Sequence, residues 1–303
     1  MKRKRSINAK VLTGFIIVLI LALSFVGTKI FQGSDNAVEK ADLRSTTQSV
    51  PSDMIVRFID VGQGNCSLIT LGDQAILVDA GEVGTAQKTI NYIKNLGVDE
   101  LDCVIVTHPH SDHMGALTKI LYEFKIKDLI MPEIPEKIIP TTKTYERFLT
   151  AVSDNADNVI PAKAGSTYSY GEMKLEIFAP LHDYDDLNDM SVVSRISYGE
   201  TSVMFTGDAT NEVEKDLLNQ KKNYSADLLN VGHHGSKTSS SLKWLKTVNP
   251  QYAVICCGSG NDYGHPHKVV TDRLDKLSIK YFRTDLLGTI VFSSNSKEFR
   301  KCD

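Results

Sequence analysis

The sequence predicts an α/β fold: two mixed β-sheets packed face to face, helices on both outer sides, and one apolar helix ahead of them. Three observations carry this expectation. Two strand-rich blocks, starting near residues 54 and 174, are each followed by segments that alternate between helical and strand patterns. The order of the blocks suggests two similar halves, and two sheets with helices outside give every apolar face a partner. Residues 11–28 form a run without charge, unlike the rest of the chain.

The 303 residues, 42% hydrophobic and 23% charged, are ordinary for a globular protein and allow a sizeable core. Residues 1–10 carry Lys2, Arg3, Lys4, Arg5 and Lys10, and are expected to stay in the cytoplasm. The apolar stretch at 11–31 is long enough for one transmembrane helix. It reads as an uncleaved anchor or as a cleaved signal peptide. The lack of an A-x-A-like site after it favours the anchor, and both readings export the rest. Residues 32–53 read as a flexible linker, and the folded domain is expected at 54–303. Without the five leader cations, 29 basic residues stand against 37 acidic ones, a net of −8. That is not the footprint of a general nucleic-acid binder, although residues 209–303 alone carry 14 basic and 10 acidic side chains. The five cysteines are odd in number and lack C-x-x-C spacing, so neither a disulfide framework nor a cysteine zinc cluster is expected.

The elements follow in order. Residues 54–60 alternate partly, as a strand does, and the glycines at 62 and 64 mark a turn. Apolar runs at 66–71 and 75–79 flank Gly72-Asp73-Gln74, a hairpin signal. Helical spacing from 85 to 96 stops at Gly97, a good C-cap. The β-branched run 103–107 reads as a buried strand, and 114–124 as a helix. A strand at 128–131 and a helix at 142–153 lie among four prolines, and this stretch is expected to be a variable lid or insert. Strands at 174–178, 192–198 and 202–206 follow. Then come helix 209–219, strand 226–231, helix 239–247, strand 252–256, helix 267–277 and strands 279–283 and 288–292.

The most informative stretch is His108-Pro109-His110-Ser111-Asp112-His113, which holds three of the eight histidines. It falls at a strand-to-helix corner, where side chains of one short segment converge. Imidazole and carboxylate are the ligands that divalent metals such as zinc prefer. Four further strand ends carry polar groups. Asp79 ends one apolar strand before Gly81. Asp208 ends another, and its two oxygens suit it to bridge two metals, although a helix cap uses the same residue type. His233 and His234 lie between Gly232 and Gly235. His234 is expected to be a ligand and His233 to contact substrate or protonate a leaving group, with the reverse assignment open. Tyr263-Gly264-His265-Pro266-His267 precedes the last helix, where it can close over the site.

The pattern His-x-His-x-Asp-His resembles the signature of the metallo-β-lactamase superfamily. That resemblance implies the αββα sandwich, one metal held by His108 and His110, and a second held by Asp112 and His113. It also implies that Asp79 supports the metal loop through hydrogen bonds. A histidine that the superfamily carries upstream of Asp208 is missing here: residues 187–193 have none, and His182 lies earlier. Asn188 and Ser191 stand there instead, so the first metal is expected to be held more weakly by His108, His110, Asp208 and a water. With Asp60-Val61-Gly62-Gln63-Gly64 and the segments around Asp208, His233 and His265, residues 54–293 are similar to the extracellular metallohydrolase domain of ComEC-type DNA-uptake proteins. Asn65 stands where that group tends to have Asp. Asp60, Asn188 and Ser191 are expected as supporting groups.

The resemblance implies an exported, membrane-anchored hydrolase with two divalent ions, zinc or manganese, and a metal-activated water. Asp112, His233 and His265 are expected to take part in the chemistry. The expected substrate is a phosphodiester, in DNA or a cell-wall polymer, and the expected partner is the membrane through the N-terminal helix. Two rivals stand beside this reading. One is an amide or ester hydrolase. The other is a non-catalytic, metal-stabilised binding module, against which the intact set of candidate ligands argues.

Overall fold

The computed structural model describes residues 53–303. The basic segment, the apolar stretch at 11–31 and nearly all of the linker lie outside the described residues. Among the described residues, no helix is long and apolar enough to cross a membrane.

The first half of the described chain builds one sheet. It runs through β1 (Met54–Phe58), β2 (Ser67–Leu71), β3 (Gln74–Val78), β4 (Glu100–Ile105), β5 (Lys125–Met131) and β6 (Ala156–Pro161). The second sheet comprises β7 (Thr167–Tyr170), β8 (Met173–Ile177), β9 (Ser194–Tyr198), β10 (Thr201–Phe205), β11 (Leu228–Asn230), β12 (Tyr252–Ile255) and β13 (Lys280–Arg283). Each sheet begins as an antiparallel meander and continues as parallel strands. The halves are not wholly separate, however. The final hairpin, β14 (Ile290–Ser294) and β15 (Phe299–Lys301), returns to the first sheet and pairs β14 with β1.

Alternation along the strands sorts the apolar side chains into three layers. Val56, Phe58, Ile69 and Ile76 meet Leu175, Ile196, Val203 and Phe205 between the sheets. Leu68, Leu77 and Val104 point the other way, against α1 (Ala86–Asn95), α2 (Ser111–Met114), α3 (Leu117–Glu123) and α4 (Lys143–Asn155). On the far side Met204, Leu229 and Ile255 pack against α5 (Asn211–Asn219), α6 (Leu242–Val248) and α7 (Lys268–Lys276). A last short helix, α8 (Thr284–Leu287), precedes β14. The two mixed sheets flanked by helices are thus the expected architecture.

Three expectations change. The proline-punctuated stretch is not a lid: Phe148, Ala151 and Val152 of α4 are buried against the first sheet. The helix expected at 114–124 is two helices, because the Ala116 N–H is taken at 2.9 Å by the Gly81 carbonyl. Strands β6, β7 and β15 are additional, and all three lie at sheet edges.

Candidate metal centre and cleft

Parallel strands all deliver their carboxyl ends to the same side, and that edge is where open α/β sheets present ligands. Here Asp79 follows β3, His108 to His113 follow β4, Asp208 follows β10 and His234 follows β11. Of these, His110, Ser111, Asp112, Asp208 and His234 line a cleft of about 400 Å³, and the others lie behind it.

Asp79 lies deepest and is fully buried. Its backbone takes φ 55°, a left-handed conformation that Asp adopts more readily than most residues. Its carboxylate accepts the Thr107 N–H and the Thr107 hydroxyl, each at 2.8 Å. The same carboxylate lies 2.8 Å from His113 Nδ1. That contact sets Nδ1–H as a donor and turns His113 Nε2 toward the cleft.

His234 is set in the same way from the other sheet. Its Nδ1 donates to the Cys256 carbonyl at 2.9 Å, and its Nε2 lies 3.1 Å from Asp112 Oδ2 and 3.6 Å from Asp208 Oδ2. Holding it there puts both His233 and His234 at positive φ, 50° and 53°, a backbone arrangement of sparse population. Asp112, His113, Asp208 and His234 each offer one ligand atom, and these atoms lie within 4.8 Å of one another. His113 Nε2 and Asp208 Oδ1 are 3.2 Å apart and buried, and beyond this mutual contact neither has a hydrogen-bond partner. Buried polar atoms are normally satisfied. Two orphaned lone-pair atoms facing one point, with carboxylate and imidazole beside them, fit a divalent cation.

The electrostatics agree. Burial pushes the Asp208 carboxyl up, but His113 and then His234 outweigh it and hold the group well below the usual carboxylate range. Burial pushes His113 down, but Asp208 and then Asp79 raise it well above its ordinary value. Asp112 is likewise held low, against burial, by His113 and His234. Without an ion a proton balances these carboxylates, and a cation competes for the same place.

His108 and His110 form the other side. His108 is fully buried, with Nδ1 3.2 Å from the Thr107 hydroxyl and 3.4 Å from the Ser191 hydroxyl. Its Nε2 is 2.9 Å from His110 Nδ1 and 3.9 Å from Asp208 Oδ2. Asp208 therefore adjoins both this pair and the other three members of the group, Asp112, His113 and His234. Ser191 also accepts the Asp208 N–H at 3.0 Å. Asn188 lines the cleft, and its buried Oδ1 has no hydrogen-bond partner, so it presents a free oxygen near the place of the missing histidine. His182 lies elsewhere, exposed and paired with Asp216 at 3.2 Å.

His233 and His265 complete the wall. His233 Nε2 is 3.5 Å from Asp208 Oδ2, and its Nδ1 is 3.2 Å from the Thr238 hydroxyl. Burial lowers His233 despite Asp208, and burial with His234 pushes His265 down to about 4. Both rings line the cleft wall, where each can contact a substrate or offer an N–H to a departing oxygen. Asp60 is not among the groups that touch the cluster. Its carboxylate accepts the Gly62 N–H at 3.0 Å and pairs with Lys88 at 3.3 Å, so it shapes the turn beside the cleft. That turn packs closely, since a Cβ on Gly64 would lie 2.3 Å from the Asp112 carbonyl oxygen.

Sequence reasoning missed Thr107, whose hydroxyl ties Asp79 to the motif, and Gln63, Glu82 and Ser111, which line the cleft. The only available signal was position: each adjoins a glycine turn or the histidine motif.

Residues 59–259 match the family model of the metallo-beta-lactamase superfamily, and the chain belongs to that superfamily. It is 28% identical over 310 residues to ComE operon protein 3 of Bacillus subtilis (strain 168), covering 95% of this chain and 37% of that protein. It is 30% identical over 250 residues to Competence protein ComA of Neisseria gonorrhoeae, covering 81% of this chain and 33% of that protein. The resemblance to ComEC-type competence proteins stands on these relatives, of whose length the chain spans about a third. A shorter match, 24% over 123 residues, joins 40% of the chain to 42% of exodeoxyribonuclease YycJ of Bacillus anthracis. Among solved structures, the metallo-beta-lactamase fold protein YhfI of Bacillus subtilis superposes with a TM-score of 0.52 at 16% identity, over 80% of this chain and all of that one. That similarity speaks to the fold alone.

Proposed function

We propose that the chain is a metal-dependent phosphodiesterase or nuclease, exported and held at the membrane by residues 11–31, with its hydrolase domain at 54–303. The observation that carries the reading is the pair of orphaned atoms, His113 Nε2 and Asp208 Oδ1, on the cleft floor. Asp112, His113, Asp208 and His234 would hold one divalent ion, zinc or manganese. His108, His110 and Asp208, with Asn188 nearby, would hold a second. Such ions supply Lewis acidity and lower the pKa of water.

The chain's own residues do the rest. Asp79 and the Cys256 carbonyl hold the His113 and His234 rings so that no reorganisation is needed. Asp112, ionised, accepts a proton from an attacking water. His233 and His265, N–H donors on the wall, stabilise charge on the departing oxygen. The nuclease name of one relative supports a phosphodiester substrate, and the competence names of others support a setting at the cell envelope.

The first test is hydrolysis of bis-(p-nitrophenyl) phosphate and plasmid DNA by the full chain, after chelation and after adding back Zn²⁺ or Mn²⁺. Turnover is expected only with metal. Asp208→Ala should lower it by at least about a thousandfold while leaving the circular dichroism spectrum intact. No turnover of either substrate by protein with bound metal overturns the reading in favour of an ester, an amide or a binding module.

A further inference from the structure

The composition of the cleft excludes one kind of grip. Among the described residues that line it, none is Lys or Arg, while Glu82, Asp112 and Asp208 contribute three carboxylates. A protein that holds a run of phosphates places several cations along it. Recognition of the groups on either side of a scissile phosphorus must therefore use something other than charge.

Tyr263 offers it. This side chain lines the cleft yet is 66% exposed. One face of its ring lies against His265, with centroids 5.5 Å apart and planes 19° apart. His265 in turn stacks on His234 at 6.1 Å and 29°. The three rings step from the surface down to the metal cluster. His265 is 9% exposed, and its Nδ1 has no hydrogen-bond partner. The loop that carries the two outer rings is held in advance: Asn261 donates to the Gly258 carbonyl at 2.9 Å and the His265 carbonyl at 2.7 Å, and accepts the His265 N–H at 2.9 Å. A lone exposed tyrosine needs no explanation. One stacked coplanar at a cleft mouth, on a loop ordered by its own hydrogen bonds, presents a rigid apolar face beside the reacting centre.

We propose that this open face of Tyr263 is a ring-binding subsite. It takes the planar ring of a nucleoside esterified to a single phosphodiester, so that the cleft selects its substrate by stacking rather than by neighbouring phosphates. The inference rests on the phosphodiester reading above. Base stacking on an aromatic side chain is sequence-tolerant and strong enough to dominate such a contact.

The test uses the metal-loaded full chain and dithymidine joined by a methylphosphonate, an uncharged linkage that resists cleavage and isolates the ring contact. Saturation-transfer NMR should show the thymine H6 and methyl protons receiving more magnetisation than the sugar protons. Tyr263→Ala should raise the Kd about tenfold and remove that preference, and Tyr263→Phe should restore both. The same methylphosphonate dinucleotide lacking both bases should bind the wild type and the alanine variant equally. Absence of transfer to the base protons, or an alanine variant that binds like the wild type, overturns the subsite. Failure of the phosphodiesterase reading shows separately, as ring binding without turnover of bis-(p-nitrophenyl) phosphate.

Discussion

Asp79 touches no part of the open cleft, yet it decides which nitrogen of His113 faces it. Its carboxylate has three donors to serve, the Thr107 N–H, the Thr107 hydroxyl and His113 Nδ1–H. Asp79→Asn keeps the volume but sets an amide N–H₂ against one of these donors. The ring is then free to turn and to protonate at either nitrogen. Losing an outer partner of this kind typically costs about 10–100-fold in metal affinity. A competition titration against a chromogenic chelator should show a loss of that size with unchanged secondary structure; unchanged affinity would remove Asp79 from the role assigned to it. At this scale much was legible. The hexapeptide from His108 to His113, Asp208 and the His233-His234 pair all follow from residue type at strand ends, whereas residue type cannot choose between the two histidines, and it is the geometry that places His234 with Asp112, His113 and Asp208. Thr107 was not legible, because a threonine ending a β-branched run is indistinguishable from any strand former. Tyr263 was written in the sequence, but only the stacking on His265 gives it meaning.

Elements were legible where both faces of a strand or one face of a helix are buried. The strands at the centre of both sheets, and α1, α5, α6 and α7, appear near their expected places. Edge strands were not, since β6 and β7 leave most of their residues half-buried or exposed, and the apolar pattern weakens with burial. What holds the second sheet near its edge is partly electrostatic. Glu176 on β8 stands opposite Arg195 on β9, joined at 2.8 Å with side chains only 19% and 13% exposed. Burial pushes Glu176 up, but Arg195 outweighs it and leaves the carboxyl below its ordinary value. A carboxylate with a lowered folded-state pKa contributes stability above its unfolded value, and loses it as pH falls through the folded one. Glu176→Gln should therefore destabilise the chain by about 0.5–1 kcal/mol at pH 7 in urea unfolding. The gap should close as the pH is lowered below the ordinary glutamate range. A gap that persists in acid would mean that shape rather than charge is lost.

At the scale of the whole molecule, the cluster draws on both sheets. The corner after β4, in the first sheet, supplies Asp112 and His113, and the ends of β10 and β11, in the second, supply Asp208 and His234. The apolar layer between the sheets packs them against each other independently of these four side chains. An ion that binds all four groups, however, binds only the arrangement in which the sheets are docked. Ligand that binds the native state alone stabilises it by RT ln(1 + [L]/Kd), or about 2.7 kcal/mol at a hundredfold excess over Kd. For a domain of this size each kcal/mol moves the Tm by roughly 2–4 °C. Chelation should therefore lower the Tm of the loaded chain by about 5–10 °C. Restoring zinc should recover it in proportion to the logarithm of free metal. Asp208→Ala, which removes the carboxylate shared by the two sides of the site, should abolish most of that shift, whereas His233→Ala, on the wall, should keep it. A chain shown to carry metal whose Tm ignores chelation would place the ion outside this junction, and the two-sheet cluster would lose its assignment.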